Sequence, residues 1–163
     1  SVVWDGCAQY EQNTLEKLQH EAARIVSGLT RSVPIQNLYN EINWLSLSDR
    51  RKYLKLILTY KIHKGEVPDY LLTIFPESIH NLVPYHLRNA DNYETINRRT
   101  QIFSSSFVPS SVSLWNNLNP EIRSANSLAS FKTMLKLSVF FHPQMLKNGS
   151  LLAIENSLFC IVD

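Results

Sequence analysis

The sequence predicts a mainly α fold: a small irregular helical bundle with a long loop around residues 77–101 and a poorly defined C-terminal tail. Three observations carry that expectation. Apolar residues recur at three- and four-residue steps in several separate segments, the spacing that gathers them on one side of a helix. Helix start and stop residues, among them Pro34, Ser46, Gly65 and Ser127, fall at the edges of those segments. Hydrophobic residues make up 44% of the 163, enough apolar material for one core and too little chain for several domains. Residues 1–137 read as that one helical region and residues 138–163 as a divergent or disordered tail.

The first helix is expected after Asn13 and Thr14, which can cap it, with Leu15, Leu18, Ala22, Ile25, Val26 and Leu29 as its inward stripe and Gly28 near its end. Glu16, Lys17, His20, Glu21 and Arg24 then form its solvated side. Pro34 opens a short second helix, about 34–42, buried through Ile35, Leu38, Tyr39 and Ile42. Ser46 with Asp49 offers a capping-box pattern for a third and longest helix, running to about Lys64 and stopped by Gly65. Its apolar residues cover most of the circumference and leave a narrow polar sector around Lys52, Lys55 and Thr59, so it belongs near the centre of the bundle.

Pro68 starts a further short helix through residues 69–75, which Pro76 ends. Residues 77–101 lose the pattern and read as a functional or partner-ordered loop, long for a structureless connection. Helices are expected again over 109–118, with Val112, Leu114, Trp115 and Leu118 apolar, in a turn at 120–123, and over 128–137 behind the cap Ser127.

Charge and chemistry narrow the function classes. Sixteen Lys plus Arg against fourteen Asp plus Glu fall short of the basic excess that marks a nucleic-acid binder. Six basic residues do cluster between Ser46 and Gly65 (Arg50, Arg51, Lys52, Lys55, Lys61, Lys64) against the single acid Asp49. On the helical wheel they form no single stripe, and several are expected to lay their stems along apolar neighbours with their heads outward.

Cys7 and Cys160 stand at opposite ends, without disulfide or metal-ligand spacing, and read as reduced thiols. The five histidines pair with no ligand at metal-site spacing, so no metal or other cofactor is expected. Gly-rich phosphate loops, nucleophile elbows and close aspartate pairs are missing, and independent catalysis is not expected. Asp5 reads as a turn-capping carboxylate, His63 as structural, and Trp115 as a core or groove anchor. No apolar run reaches membrane-spanning length and the start has no signal-type pattern, so an intracellular chain without a membrane partner is expected, cytoplasmic or nuclear left open. A start without Met fits a fragment.

The opening Ser1-Val2-Val3-Trp4-Asp5, then Leu15-Glu16-Lys17-Leu18-Gln19-His20-Glu21-Ala22-Ala23-Arg24-Ile25-Val26, resembles the segment downstream of the polymerase domain in jockey-like non-LTR retrotransposon reverse transcriptases. The likeness continues through Leu45-Ser46-Leu47-Ser48-Asp49-Arg50-Arg51 and Val67-Pro68-Asp69-Tyr70-Leu71, then Ser106-Phe107-Val108-Pro109, Leu114-Trp115-Asn116-Asn117-Leu118-Asn119-Pro120-Glu121-Ile122-Arg123 and Ser130-Phe131-Lys132. It spans roughly residues 1–137. Each block alone is weak; their ordered succession is specific.

The resemblance implies a noncatalytic, thumb-adjacent helical segment of an RNA-directed DNA polymerase. Its catalytic aspartates lie upstream, and the segment supports the polymerase core and helps hold template RNA, an RNA/DNA hybrid or target DNA. Arg24, Arg50, Arg51, Lys55, Arg98 and Arg99 are the expected phosphate contacts, with no catalytic and no metal-ligating residue. The alternative is a structural remnant or protein-interaction module with no autonomous activity.

Overall fold

The computed structural model describes residues 5–79, 92–97 and 99–140, with side chains as far as Ser138. The architecture is mainly helical, as the apolar spacing predicts. In chain order the elements are α1 (Gln9–Ser27), α2 (Ile35–Glu41), α3 (Leu47–His63), α4 (Asp69–Leu72), α5 (Gln101–Ser105), α6 (Phe107–Asn116), α7 (Pro120–Arg123) and α8 (Leu128–Leu135), which runs into a π-helical turn at Lys136–Phe140. Among the described residues extended pairing is limited to one antiparallel bridge, Ser78 with Tyr93.

The punctuation residues act as expected. Ser46 caps α3 by accepting from the Asp49 N–H at 3.0 Å, and its own hydroxyl meets the Asp49 carboxylate at 2.9 Å. Gly28 (φ 67) and Gly65 (φ 70) follow α1 and α3 in the left-handed region, where a side chain would be strained. Asn43 (φ 55) takes the same role after α2, letting the Trp44 N–H reach back to the Tyr39 carbonyl at 2.9 Å in a Schellman closure. Ser127 caps α8 through the Ser130 N–H, and Pro120 sits in the first turn of α7.

The main core lies where α3 crosses α6 and α8. Leu56, Tyr60 and Ile62 of α3 meet Val112 and Trp115 of α6 and Phe131 and Leu135 of α8, with Phe75, Tyr93, Leu118, Ile122 and Ala125 closing the ends. Tyr60 stacks on Phe131 at 4.3 Å between ring centroids and donates its hydroxyl to the Ala125 carbonyl at 2.8 Å, so its polar tip is satisfied inside the core. Trp115 is fully buried, with its ring 5.1 Å from His63 and 6.2 Å from Phe131. A second, smaller cluster joins α1 to α2 through Ala23, Leu38 and Tyr39, with Leu29, Ile35 and Ile42 at its margin.

Several elements differ from the sequence expectation. α1 begins at Gln9, ahead of Asn13 and Thr14, because the Glu11 carboxylate accepts the Ala8 N–H and supplies the first-turn acid that favours a helix start. Of the residues expected to face inward on the first helix, Leu29 does so, but the others point out: Leu18 is 63% exposed and Ile25 82%, with Leu15, Ala22 and Val26 beside them. α4 is a single turn, and the short helix α5 forms where the sequence shows no periodicity. α8 leaves regular α geometry at Leu135.

The expected loop at 77–101 is in part core. Tyr93 is buried against Phe75 and Trp115, and the Asn116 side chain clasps its backbone, accepting the Tyr93 N–H at 3.0 Å and donating to the Tyr93 carbonyl at 2.9 Å. Residues 80–91 and 98 of that loop, and 141–163 of the expected tail, lie outside the described residues.

Candidate functional site

The polar side of α3 does not face solvent throughout. Arg51 and Lys55, one turn apart, turn inward toward the segment that precedes α1, and Lys55 is only 3% exposed. Asp5 lies between the two. Its carboxylate accepts from Arg51 Nε at 2.9 Å through Oδ1 and pairs with Lys55 Nζ through Oδ2. Arg51 also donates from Nη2 to Gln12 Oε1 at 3.1 Å, and Lys55 donates to Ser110 Oγ at 2.7 Å. Asp5 therefore does not cap a turn, and the heads of Arg51 and Lys55 do not reach outward. Burying a cation is tolerable only when a partner charge and hydrogen bonds accompany it, and Asp5 supplies both.

These groups line a cleft of about 280 Å³ bounded by Asp5, Gln12, Ser48, Arg51, Lys52, Lys55, Ser104, Ser110, Ser113 and Leu114. Three cations and one carboxylate face it, with four serine hydroxyls between them. Lys52 stands at the rim, paired with Asp49 at 3.0 Å. A lysine hydrogen-bonded to a serine hydroxyl is also the pairing of Ser–Lys hydrolases. Here the Lys55 ammonium is engaged by Asp5, and the Ser110 hydroxyl is given to the Ser106 carbonyl at 2.6 Å. The pair ties α3 to α6 and does not prepare a nucleophile.

The six expected phosphate contacts are not brought together. Arg51 and Lys55 share the cleft, while Arg50 is exposed on another side of α3 and Arg99 is exposed just ahead of α5. Arg24 lies half-buried on α1, with Nη1 on Glu21 at 3.2 Å and a buried Nε without a hydrogen-bond partner. Arg98 lies outside the described residues. Lys64 extends over the Tyr60 ring at 5.6 Å, adding a cation–π contact rather than a free charge.

The inward side of α1 is polar, which explains why its apolar residues are left outside. Glu16 accepts from the Leu47 N–H at 3.2 Å and from the Tyr39 hydroxyl at 3.4 Å, and Gln19 donates to the Leu45 carbonyl at 2.7 Å. Gln12 donates to the carbonyls of Asp5 and Cys7. Glu16 and Gln19 satisfy the backbone of the turn that leads into α3, and Gln12 that of the segment ahead of α1, a part-buried demand that leucines could not meet. Of the expected solvated side, Glu16 and His20, whose ring lies 5.6 Å from that of Tyr39, belong to this joint, while Lys17 and Glu21 are exposed as expected. Burial and the Glu16 carboxylate push the Tyr39 phenol up to about 12, and burial does the same to Tyr93.

What remains on the outer side of α1 is an apolar stripe of Leu15, Leu18, Ala22, Ile25 and Val26, exposed and outside both apolar clusters of the described residues. The helical period of these residues is legible in the sequence, but the surface they face is not. The Asp5 bridge is not legible in the sequence, because a carboxylate 46 residues from its cation leaves no local signature.

Among the described residues no group of three or more His, Cys, Asp or Glu side chains comes together, and no helix is long and apolar enough to cross a membrane. No family model, no curated protein and no solved structure matches this chain.

Proposed function

We propose that this chain is a noncatalytic helical segment of a non-LTR retrotransposon RNA-directed DNA polymerase, which docks on the polymerase core through α1 and assists in holding template RNA or target DNA. The exposed stripe of α1 carries the reading. Four large aliphatic side chains lie in a line on a 19-residue helix. Burying each contributes about 1.5 to 3 kcal/mol, so a cognate surface gains several kcal/mol before the cost of association is subtracted. α1 is also the helix nearest to the upstream core that the resemblance of residues 1–137 implies. The nucleic-acid part of the reading rests on the cations of α3 and on Arg99.

The test is the double variant Leu18→Glu, Ile25→Glu. Both residues are solvent-exposed, so the expected change in melting temperature is small, while co-purification with a jockey-like polymerase core and binding of a hydrophobic dye are lost. A variant that unfolds would show that the stripe is buried within the chain and overturn the docking reading. A wild-type chain that forms a stable dimer through α1 and ignores the core would redirect the stripe to self-association, since residues 15, 18, 22 and 25 keep the alternating three- and four-residue steps of a two-helix seam.

A further inference from the structure

The cleft between the Asp5 segment, α3 and α6 has more cationic and hydroxyl donors than its own carboxylate uses. Arg51 spends Nε on Asp5 and Nη2 on Gln12, and its Nη1 has no hydrogen-bond partner among the described residues. Lys55 spends two directions of its ammonium, on Asp5 and on Ser110. A lysine ammonium has three donors, so one remains. Ser48 and Ser113 line the same cleft from α3 and α6, and neither hydroxyl is engaged within the described residues. Asp5 is the single carboxylate in the lining, and Lys52 adds a third cation at the rim.

We infer that this cleft is a binding site for a phosphate-type oxyanion, held by Arg51 Nη1, the Lys55 ammonium and the hydroxyls of Ser48 and Ser113. A planar guanidinium with a free edge, a point ammonium and hydroxyl donors from two helices match a tetrahedral anion with acceptors in several directions. The cations are already ordered by Asp5 and Gln12, so binding costs little side-chain entropy. The volume of about 280 Å³ exceeds that of a lone phosphate, leaving room for the sugar of a nucleotide unit or a phosphodiester. Asp5 sets the affinity from the opposite direction: its charge organises Arg51 and Lys55 and at the same time repels the incoming anion.

The inference deepens the nucleic-acid part of the proposed function, but its first arm does not rest on it. Inorganic phosphate is titrated into the full chain by calorimetry, with chloride at matched ionic strength as control, in wild type, Asp5→Asn and the double variant Ser48→Ala, Ser113→Ala. Phosphate is expected to bind wild type above the chloride control and Asp5→Asn at least about tenfold more tightly, as removal of a nearby like charge dictates. The serine variant, which breaks no side-chain hydrogen bond among the described residues, is expected to bind several-fold more weakly with an unchanged melting temperature.

In the second arm a short single-stranded RNA replaces phosphate. Competition between RNA and phosphate, with the same ranking of variants, identifies the anion as a backbone phosphate. Phosphate binding without RNA binding leaves the site to a free phosphate compound and sinks only the nucleic-acid reading. No phosphate binding above chloride, or affinities indifferent to both sets of substitutions in folded protein, overturns the site.

Discussion

Replacing Asp5 by Asn removes one negative charge and leaves two cations facing each other. The Arg51 side chain is 11% exposed and that of Lys55 4%, whereas Asp5 is 22% exposed. Removing one partner of a buried ion pair costs about 3 to 5 kcal/mol. Water already reaches Asp5 and can enter the cleft, which places the expected loss near the lower end, about 3 kcal/mol. For a domain of this size each kcal/mol moves the melting temperature by about 2 to 4 °C, so a drop of roughly 6 to 12 °C is expected in helical circular dichroism at low phosphate.

Glu21→Gln is the control, since its pairs with Arg24 and Arg31 sit at a carboxylate that is 53% exposed and exposed pairs are worth under about 1 kcal/mol. Adding Lys55→Met to Asp5→Asn removes one of the stranded cations and should recover part of the loss, a coupling above about 1 kcal/mol in the double-mutant cycle. A drop for Asp5→Asn no larger than that for Glu21→Gln, or strictly additive single effects, would refute the view that Asp5 is the keystone of the cleft.

Other perturbations reach the core and the joints. Phe131→Ala empties a fully buried site against Tyr60 and Trp115 and should cost about 3 to 5 kcal/mol in chemical denaturation. Asn116→Ala strips both backbone partners from Tyr93; a loss of about 1 to 3 kcal/mol is expected, with exchange of the Tyr93 amide hydrogen accelerated more than that of α8. Tyr39 and Tyr93 have folded-state pKa values raised from 10.0 to about 12, so the folded state prefers the neutral phenols. The stability this preference contributes is complete below pH 10 and is lost as pH rises toward 12. Tyrosinate absorbance should therefore appear late for these two residues, and Tyr39→Phe, Tyr93→Phe should flatten the alkaline decline.

The parts of the fold that were legible in the sequence are those written in local terms. Ser46 with Asp49, Pro120, Ser127, Gly28 and Gly65 mark helix ends by chemistry within a few residues, and the structure uses each of them there. Trp115 and Phe131 are core because large apolar side chains at helical spacing have few alternatives. Tyr93 was not legible: its neighbours carry no period, and its burial depends on a clasp from Asn116, 23 residues away. The inward turn of Arg51 and Lys55 is illegible for the same reason, since their partner Asp5 lies outside any local window.

The error on α1 is of another kind, because its periodicity was real and its direction was not. A hydrophobic stripe says that one side of a helix seeks cover, but not whether the cover belongs to the same chain. In α1 the competing demand came from the backbone at 45–47, whose N–H and C=O groups needed Glu16 and Gln19. Once those polar side chains were committed inward, the leucine and isoleucine stripe had to turn out. Charged residues at these exposed positions would cost the fold of the described residues little, and the proposed docking of α1 rests on the aliphatic side chains that stand there instead. The Leu18→Glu, Ile25→Glu variant separates the two demands: the inner joint of Glu16 and Gln19 should hold the helix in place at full stability, and only the outer partner should be lost.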